Sequence, residues 1–177
     1  IQEQSQKIKL FDFPDEVFGI LGVNNKIGIF DAYKEKGANI NQAYKKMEKD
    51  WLAYNPYRVN VGSIGMRTAA HQHEYISPAY VVFSCKETLL PDFLFKLFKT
   101  ERFNKIINES TTGSVRQNLT FDILKTLDIA LPPIDVQKKL LEAYYRKSEK
   151  ALEQDIKAKE KELEINDFLL STLGISL

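Results

Sequence analysis

Cysteine occurs once in the 177 residues, at position 85. A single thiol closes no internal disulfide, which excludes the small stapled scaffolds of oxidising compartments. It sits at the end of the apolar run Ala79-Tyr80-Val81-Val82-Phe83-Ser84-Cys85, where a small buried side chain describes it better than a reactive thiol. Glycine (8) and proline (6) are also scarce, while 44% of residues are hydrophobic and 11% aromatic, so the chain folds around a core rather than staying disordered. No apolar run approaches the roughly 20 residues of a membrane helix. The opening Ile1-Gln2-Glu3-Gln4-Ser5 lacks the basic-then-apolar order of a secretory signal. These absences predict a cytoplasmic protein with no membrane contact. The net charge of +1 argues against a binder held by bulk positive charge alone. Only two histidines occur, His71 and His73, with Glu74 as their one acidic neighbour. Zinc needs at least three protein ligands, so a loop with solvent-facing imidazoles is expected and no cofactor or metal is.

What is present has an order along the chain. The length suits one domain of roughly 100–150 residues with an appendage. Phe18–Val23 and Ile27–Phe30 flank Asn24-Asn25-Lys26 as a hairpin would. Residues 41–51 are ambiguous, with an Asn cap and Ala/Lys/Glu content that favour a short helix. From Tyr57 the chain alternates, which predicts a half-buried strand with Val59 and Val61 inward and Arg58 and Asn60 outward. Tyr80–Cys85 is apolar enough for a central strand. Pro91-Asp92 then opens a helix with Leu94, Leu97 and Phe98 on one face, expected to run to about Asn108. A loop over 110–118 leads to a short helix capped by Thr120 and a brief strand over 127–131, stopped by Pro132-Pro133.

Nothing after those prolines breaks a helix until Gly174. A helix of roughly 35–40 residues capped by Asp135 is longer than a small domain is wide. Its apolar positions, Leu141, Tyr145, Leu152, Ile156 and Leu163, fall four, seven, four and seven residues apart between runs of charge. A stripe that thin suits pairing with one other long helix, and a period nearer 11 than 7 predicts a nearly straight pair.

The most informative stretch is Tyr54-Asn55-Pro56-Tyr57-Arg58-Val59-Asn60-Val61-Gly62-Ser63-Ile64-Gly65. Its Asn-Pro-Tyr resembles part of the adenine methyltransferase motif but lacks the second proline, and the 54 preceding residues hold no Gly-rich cofactor turn. Gly62-Ser63-Ile64-Gly65 resembles the GXXG loop of KH domains, but no helical pattern flanks it. A turn or bulge permitted by two glycines is the simpler reading. Arg58 with Asn60, and Arg116 with Gln117, are residue types that fork onto guanine and adenine edges in the major groove; ion pairs and backbone contacts would use the same types equally well. Residues 55–120 carry eight Lys/Arg against five Asp/Glu, whereas 135–177 carry eight against nine, so positive surface belongs to the middle of the chain. Lys96, Lys99, Arg102 and Lys105 fit a solvated helix face.

Taken in order, four segments resemble the DNA-specificity (S) subunits of type I restriction-modification systems. They are residues 54–65, then Ile76-Ser77-Pro78-Ala79-Tyr80-Val81-Val82-Phe83, then Thr112-Gly113-Ser114-Val115-Arg116-Gln117-Asn118-Leu119, then Ile129-Ala130-Leu131-Pro132-Pro133-Ile134-Asp135-Val136-Gln137-Lys138. The resemblance implies an α+β fold: a mixed α/β target-recognition domain over 1–131 and a long spacer helix over 132–177 that pairs as an antiparallel coiled coil. It implies DNA contact by loops bearing Asn55, Tyr57, Arg58, Asn60, Arg67, His71, His73, Thr111, Thr112, Ser114, Arg116 and Gln117, and helix pairing through Leu141, Tyr145, Leu152, Ile156 and Leu163. Its implied partners are double-stranded DNA, methyltransferase subunits and a restriction subunit. No catalysis is implied for the chain itself. Full S subunits carry two such domains and two helices, so a chain with one of each is a fragment or a half-sized subunit that forms a homodimer. The competing class is a coiled-coil interaction module whose head docks protein, which predicts no DNA affinity.

Overall fold

The computed structural model describes residues 1–111 and 118–172. The chain divides into two compact units, Ile1–Ile134 and Asp135–Leu177. The first has the expected mixed α/β character, with two sheets and three helices; the second is the long helix.

One sheet has four strands, β1 (Gln2–Glu3), β9 (Val81–Ser84), β6 (Leu52–Tyr54) and β7 (Ile64–Met66), in that spatial order and antiparallel throughout. The other has five, β2 (Lys7–Ile8), β5 (Tyr44–Lys46), β8 (Tyr75–Ile76), β3 (Val17–Asn24) and β4 (Gly28–Lys36), with β3 and β8 as its parallel pair. Strand alternation sorts the core into layers. Leu52, Tyr54, Ile64 and Phe83 face α1 (Pro91–Phe98), α2 (Glu101–Thr111) and α3 (Phe121–Leu124), packing on Leu94, Phe98, Phe103, Ile107 and Leu124. Ala53 and Val82 point the other way, onto Leu21, Val23, Ile29, Met47 and Ile76 of the five-stranded sheet. A third cluster, Leu10, Phe18, Ile20, Ile40 and Tyr44, covers the remaining face. The expected hairpin at 24–26, the interior strand ending near Cys85 and the Thr120 cap, whose Oγ1 accepts the Ile123 amide at 3.3 Å, are all present. Cys85 is part-buried, and burial pushes its thiol up to about 11.

Four local expectations are corrected. Residues 44–46 form β5 instead of helix, because pairing with both β2 and β8 and burial of Tyr44 and Met47 outweigh a weak helical composition. Tyr57–Val61 is a turn leading into a 3-10 helix over Val59–Val61; Val59 is buried as expected but Val61 is 53% exposed. The Asn55 Oδ1 accepts the Tyr57 amide and Gly62 ends the segment at φ +83°, so side-chain hydrogen bonding closed a turn where alternation suggested a strand. The helix from Pro91 breaks at Lys99-Thr100. Thr100 Oγ1 donates to the Leu97 carbonyl and accepts the Phe103 amide, and the break brings the Phe98 and Phe103 rings to 4.7 Å, edge to face. Residues 127–131 pair with no strand; Leu127 and Ile129 pack part-buried against the helical side of the core.

The long helix, α4, spans Ile134–Thr172, 39 residues. At 1.5 Å per residue it is about 58 Å long.

Gly65 and Gly62 serve different ends. A Cβ on Gly65 would lie 2.2 Å from the Ile29 amide nitrogen, whereas one on Gly62 would make only ordinary contacts at 3.9 Å, so Gly62 is needed for its left-handed backbone alone. Gly62→Ala should therefore cost about 1–2 kcal/mol, the ordinary penalty of a left-handed alanine. Gly65→Ala should cost about 3 kcal/mol or more by overpacking. Urea midpoints of the two variants check the order, which reverses or vanishes if the close approach is absent.

Candidate nucleic-acid interface

The β3–β4 hairpin and the segment after β6 form one edge. Asn24 Oδ1 accepts the amides of Lys26 and Ile27 at 3.0 and 2.9 Å, and Gly28 completes the tip at φ +78°. Gly28 and Ile29 lie against Gly65 with no space for a side chain between them, which sets the tip beside the 55–63 turn. There the Asn55 amide donates to the Ser63 carbonyl and the Arg58 amide to the Asn55 carbonyl. Lys99 ties the two together: its Nζ donates to the Gly62 carbonyl at 2.9 Å and the Asn25 carbonyl at 3.5 Å, 5.4 Å from the Phe95 ring centroid. Burial, then the charge of Lys96, holds its pKa below the usual lysine value. Lys99 thus corrects the solvated-face reading for its position; Lys96 and Lys105 pair with Asp92 and Glu109 at i,i+4 as surface lysines do.

Where the sequence-predicted contacts fall is uneven. Tyr57 is 57% exposed on the turn, and the exposed Arg58 guanidinium has no partner among the described residues. Asn55 faces its own turn. Thr112, Ser114, Arg116 and Gln117, and the side chains of Asn60 and Thr111, lie outside the described residues. The chain on both sides of 112–117 nevertheless reaches this same turn: α2 packs against Val59–Val61, and the Leu119 amide donates to the Pro56 carbonyl at 2.9 Å.

Arg67, His71 and His73 are not solvent-facing, which corrects the expected open loop. Arg67 Nε donates to the His73 carbonyl at 2.9 Å and its NH2 group pairs with Glu74 at 3.6 Å, leaving the side chain 12% exposed. His71 Nδ1 accepts the Thr68 amide at 2.9 Å, so Nε2 carries the proton and donates to the Ile29 carbonyl at 3.0 Å. His73 donates from Nδ1 to the Ile20 carbonyl at 3.0 Å, beside the bulge where β3 and β4 shift register, and its ring fills the space a Cβ on Gly19 would need. Asp31 closes this cluster by accepting the Gln72 and His73 amides at 3.0 and 2.9 Å. Short-range sequence context could not reveal the bonds to Ile20, Ile29 and Asp31, whose partners lie 41 to 53 residues away; those of Arg67 to His73 and of Thr68 to His71 are local. The residues that sequence reading missed are Asn25, Lys26, Ser63 and Lys99. Adjacent asparagines at a hairpin tip were the available signal, and they pointed only to a turn.

Among the described residues, no group of three or more His, Cys, Asp or Glu is placed to hold a metal ion, and no helix is long and apolar enough to cross a membrane.

Residues 7–159 match the model of the type I restriction modification DNA specificity domain, and the chain belongs to that family. No curated protein matches it. A chain from work on complex assembly and conformational transition of the type I R-M system superposes with a TM-score of 0.75 at 15% identity, over 98% of this chain and 46% of that one. The HsdS subunit from Thermoanaerobacter tengcongensis superposes with a TM-score of 0.70 at 16% identity, over 97% and 46%. These likenesses are of fold, and the chain spans less than half the length of either structure.

The Asp31 clip has a pH signature. Burial would raise its pKa, but the two amides and the neighbouring imidazoles hold it below the ordinary value. A depressed carboxylate lends stability that is full above its unfolded pKa, about 4, and is lost as pH falls through the lower folded value. Asp31→Ala should cost about 1–2 kcal/mol at pH 7. In urea titrations its gap from the parent should close below about pH 3; a gap that stays constant would assign Asp31 no role as a charged acceptor.

Proposed function

We propose that this chain is a DNA target-recognition unit of a restriction-modification specificity subunit, reading one half of a bipartite site and performing no chemistry itself. The match of residues 7–159 to the specificity-domain family carries this reading. The edge supports it, since the hairpin tip, the 55–63 turn and the described residues on either side of 112–117 converge there. In this reading Arg58, Tyr57, Thr111, Thr112, Ser114, Arg116 and Gln117 meet DNA, with Arg116 and Gln117 as base readers and Asn60 beside them. Asn55, Arg67, His71 and His73 act by holding those segments in place. Methyltransferase subunits, and a restriction subunit with them, supply the catalysis.

Selection from randomised duplexes, with the methyltransferase subunits supplied, should enrich one short motif. Arg116→Ala should relax the preference at one position of that motif. Unenriched sequence after several rounds sinks the reading.

The helix is read as a spacer that pairs antiparallel with a second copy. Its stripe supports this: Tyr145, Leu152, Ile156 and Leu163 are 42%, 61%, 48% and 63% exposed, a thin apolar line on a charged helix. The chain should sediment as a dimer and Leu152→Asp as a monomer. A parent of monomer mass at micromolar concentration would remove the pairing.

A further inference from the structure

Between the hairpin tip and the 55–63 turn lies a cleft of about 150 Å³, its polar lining formed by Asn24, Asn25, Asn55, Arg58, Ser63 and Tyr80. The two turns decide its chemistry. Two backbone amides occupy Asn24 Oδ1 and one occupies a lone pair of Asn55 Oδ1, so Asn24 presents only its NH2 group, a donor, and Asn55 its NH2 group beside one remaining lone pair. Ser63 is 5% exposed, and its hydroxyl bonds to nothing among the described residues although it lines the cleft. The Arg58 guanidinium, unpaired among the described residues, stands at the same opening, and no carboxylate among them lines it. Lys99 adds a second positive charge alongside, held on the Gly62 carbonyl next to Ser63.

Donors of four side chains and a full positive charge therefore meet a space well below the roughly 300 Å³ of an ordinary small-molecule pocket. That space fits one oxyanion rather than a nucleotide. Adenine and cytosine edges present an amino donor, for which the Asn24 oxygen is already spent, whereas a phosphate oxygen can accept from all four side chains. We propose that this cleft binds a single DNA backbone phosphate through Arg58, Ser63 and the amide nitrogens of Asn24 and Asn55, and so fixes the register of the neighbouring loop on the duplex. The inference rests on the DNA-reading function above and assigns Arg58 to positioning, not to base reading. The hairpin becomes half of an anchoring site, and not simply a turn.

Arg58→Ala and Ser63→Ala test it in the chain assembled with its methyltransferase subunits. Losing one phosphate contact should weaken binding to selected and unselected duplexes alike, with the slope of log affinity against log salt shallower by about one for Arg58→Ala and the selected motif unchanged. Ser63→Ala, a small buried replacement, should weaken binding several-fold in the same sequence-independent way. A changed motif with an unchanged slope would make Arg58 a guanine reader and overturn the proposal, as would unchanged binding in both variants. A second arm does not need DNA: inorganic phosphate titrated into the full chain should shift the amide resonances of Asn25, Gly62 and Ser63, and Arg58→Ala should abolish those shifts. Shifts spread evenly over the surface overturn the site. Localised shifts in a chain that selects no DNA would overturn the DNA phosphate as ligand and leave a free oxyanion in its place, separating this failure from that of the function itself.

Discussion

The contact between Gly65 of β7 and Gly28-Ile29 of β4 is the constraint on which the recognition edge depends. Backbone meets backbone at a distance no side chain tolerates, and it does so where the edge strand of one sheet crosses the edge strand of the other. Sheets packed face to face normally stand about 10 Å apart because side chains fill the gap. Removing the side chain at this corner lets the hairpin tip descend onto the turn that follows β6. Everything else at the edge follows from that descent: Lys99 reaches carbonyls on both segments, and the asparagines of both turns face one opening.

The same economy of hydrogen bonds explains why the edge is rich in donors. A tight turn needs an acceptor for amides that its own backbone cannot satisfy, and Asn24 and Asn55 supply it. An asparagine so used cannot accept again from a ligand with that lone-pair direction, but its NH2 group remains. Turn formation has therefore biased the edge toward acceptor-bearing ligands without any large net charge, consistent with a chain whose formal charge is only +1. The second cluster works in the opposite sense. Arg67, His71, His73 and Asp31 use polar atoms on one another's backbones and on Ile20 and Ile29, so they brace β3 and β4.

This contrast marks how far sequence could be read. The strand at Val81–Ser84, the hairpin at 24–28, the Thr120 cap and the long helix were legible because each is decided locally, by apolar composition, turn residues or the absence of breakers. The family resemblance was legible from the order of four motifs, and residues 7–159 do belong to that family. The failures share another cause. Tyr44–Lys46 became a strand because two partners distant in sequence pair with it, and Val59–Val61 lost its strand because one Asn side chain and one left-handed Gly closed a turn first. Whether Arg58 and Arg67 are free or spent was equally invisible, since it turns on carbonyls and carboxylates brought in by tertiary structure. Of the two arginines, Arg58 is the one without a fold-imposed partner among the described residues.

The two units of the chain obtain their stability in different currencies. Ile1–Ile134 is layered, and its strands alternate between two cores, so each residue's partners are fixed by the fold. The long helix has no such alternation. Its mean composition is polar and its apolar residues are sparse: Tyr145, Leu152, Ile156 and Leu163 share one side, while Val136, Leu140, Tyr144 and Ile165 are exposed on another, and neither line covers a sheet face. A 39-residue helix with charges between these positions offers narrow apolar seams rather than a broad face. Such a seam specifies distance better than it supplies affinity, because a helix carries its 1.5 Å rise per residue wherever it goes. In the proposed function, the edge sets which bases are met, and the number of helical residues sets how far apart the two meetings occur.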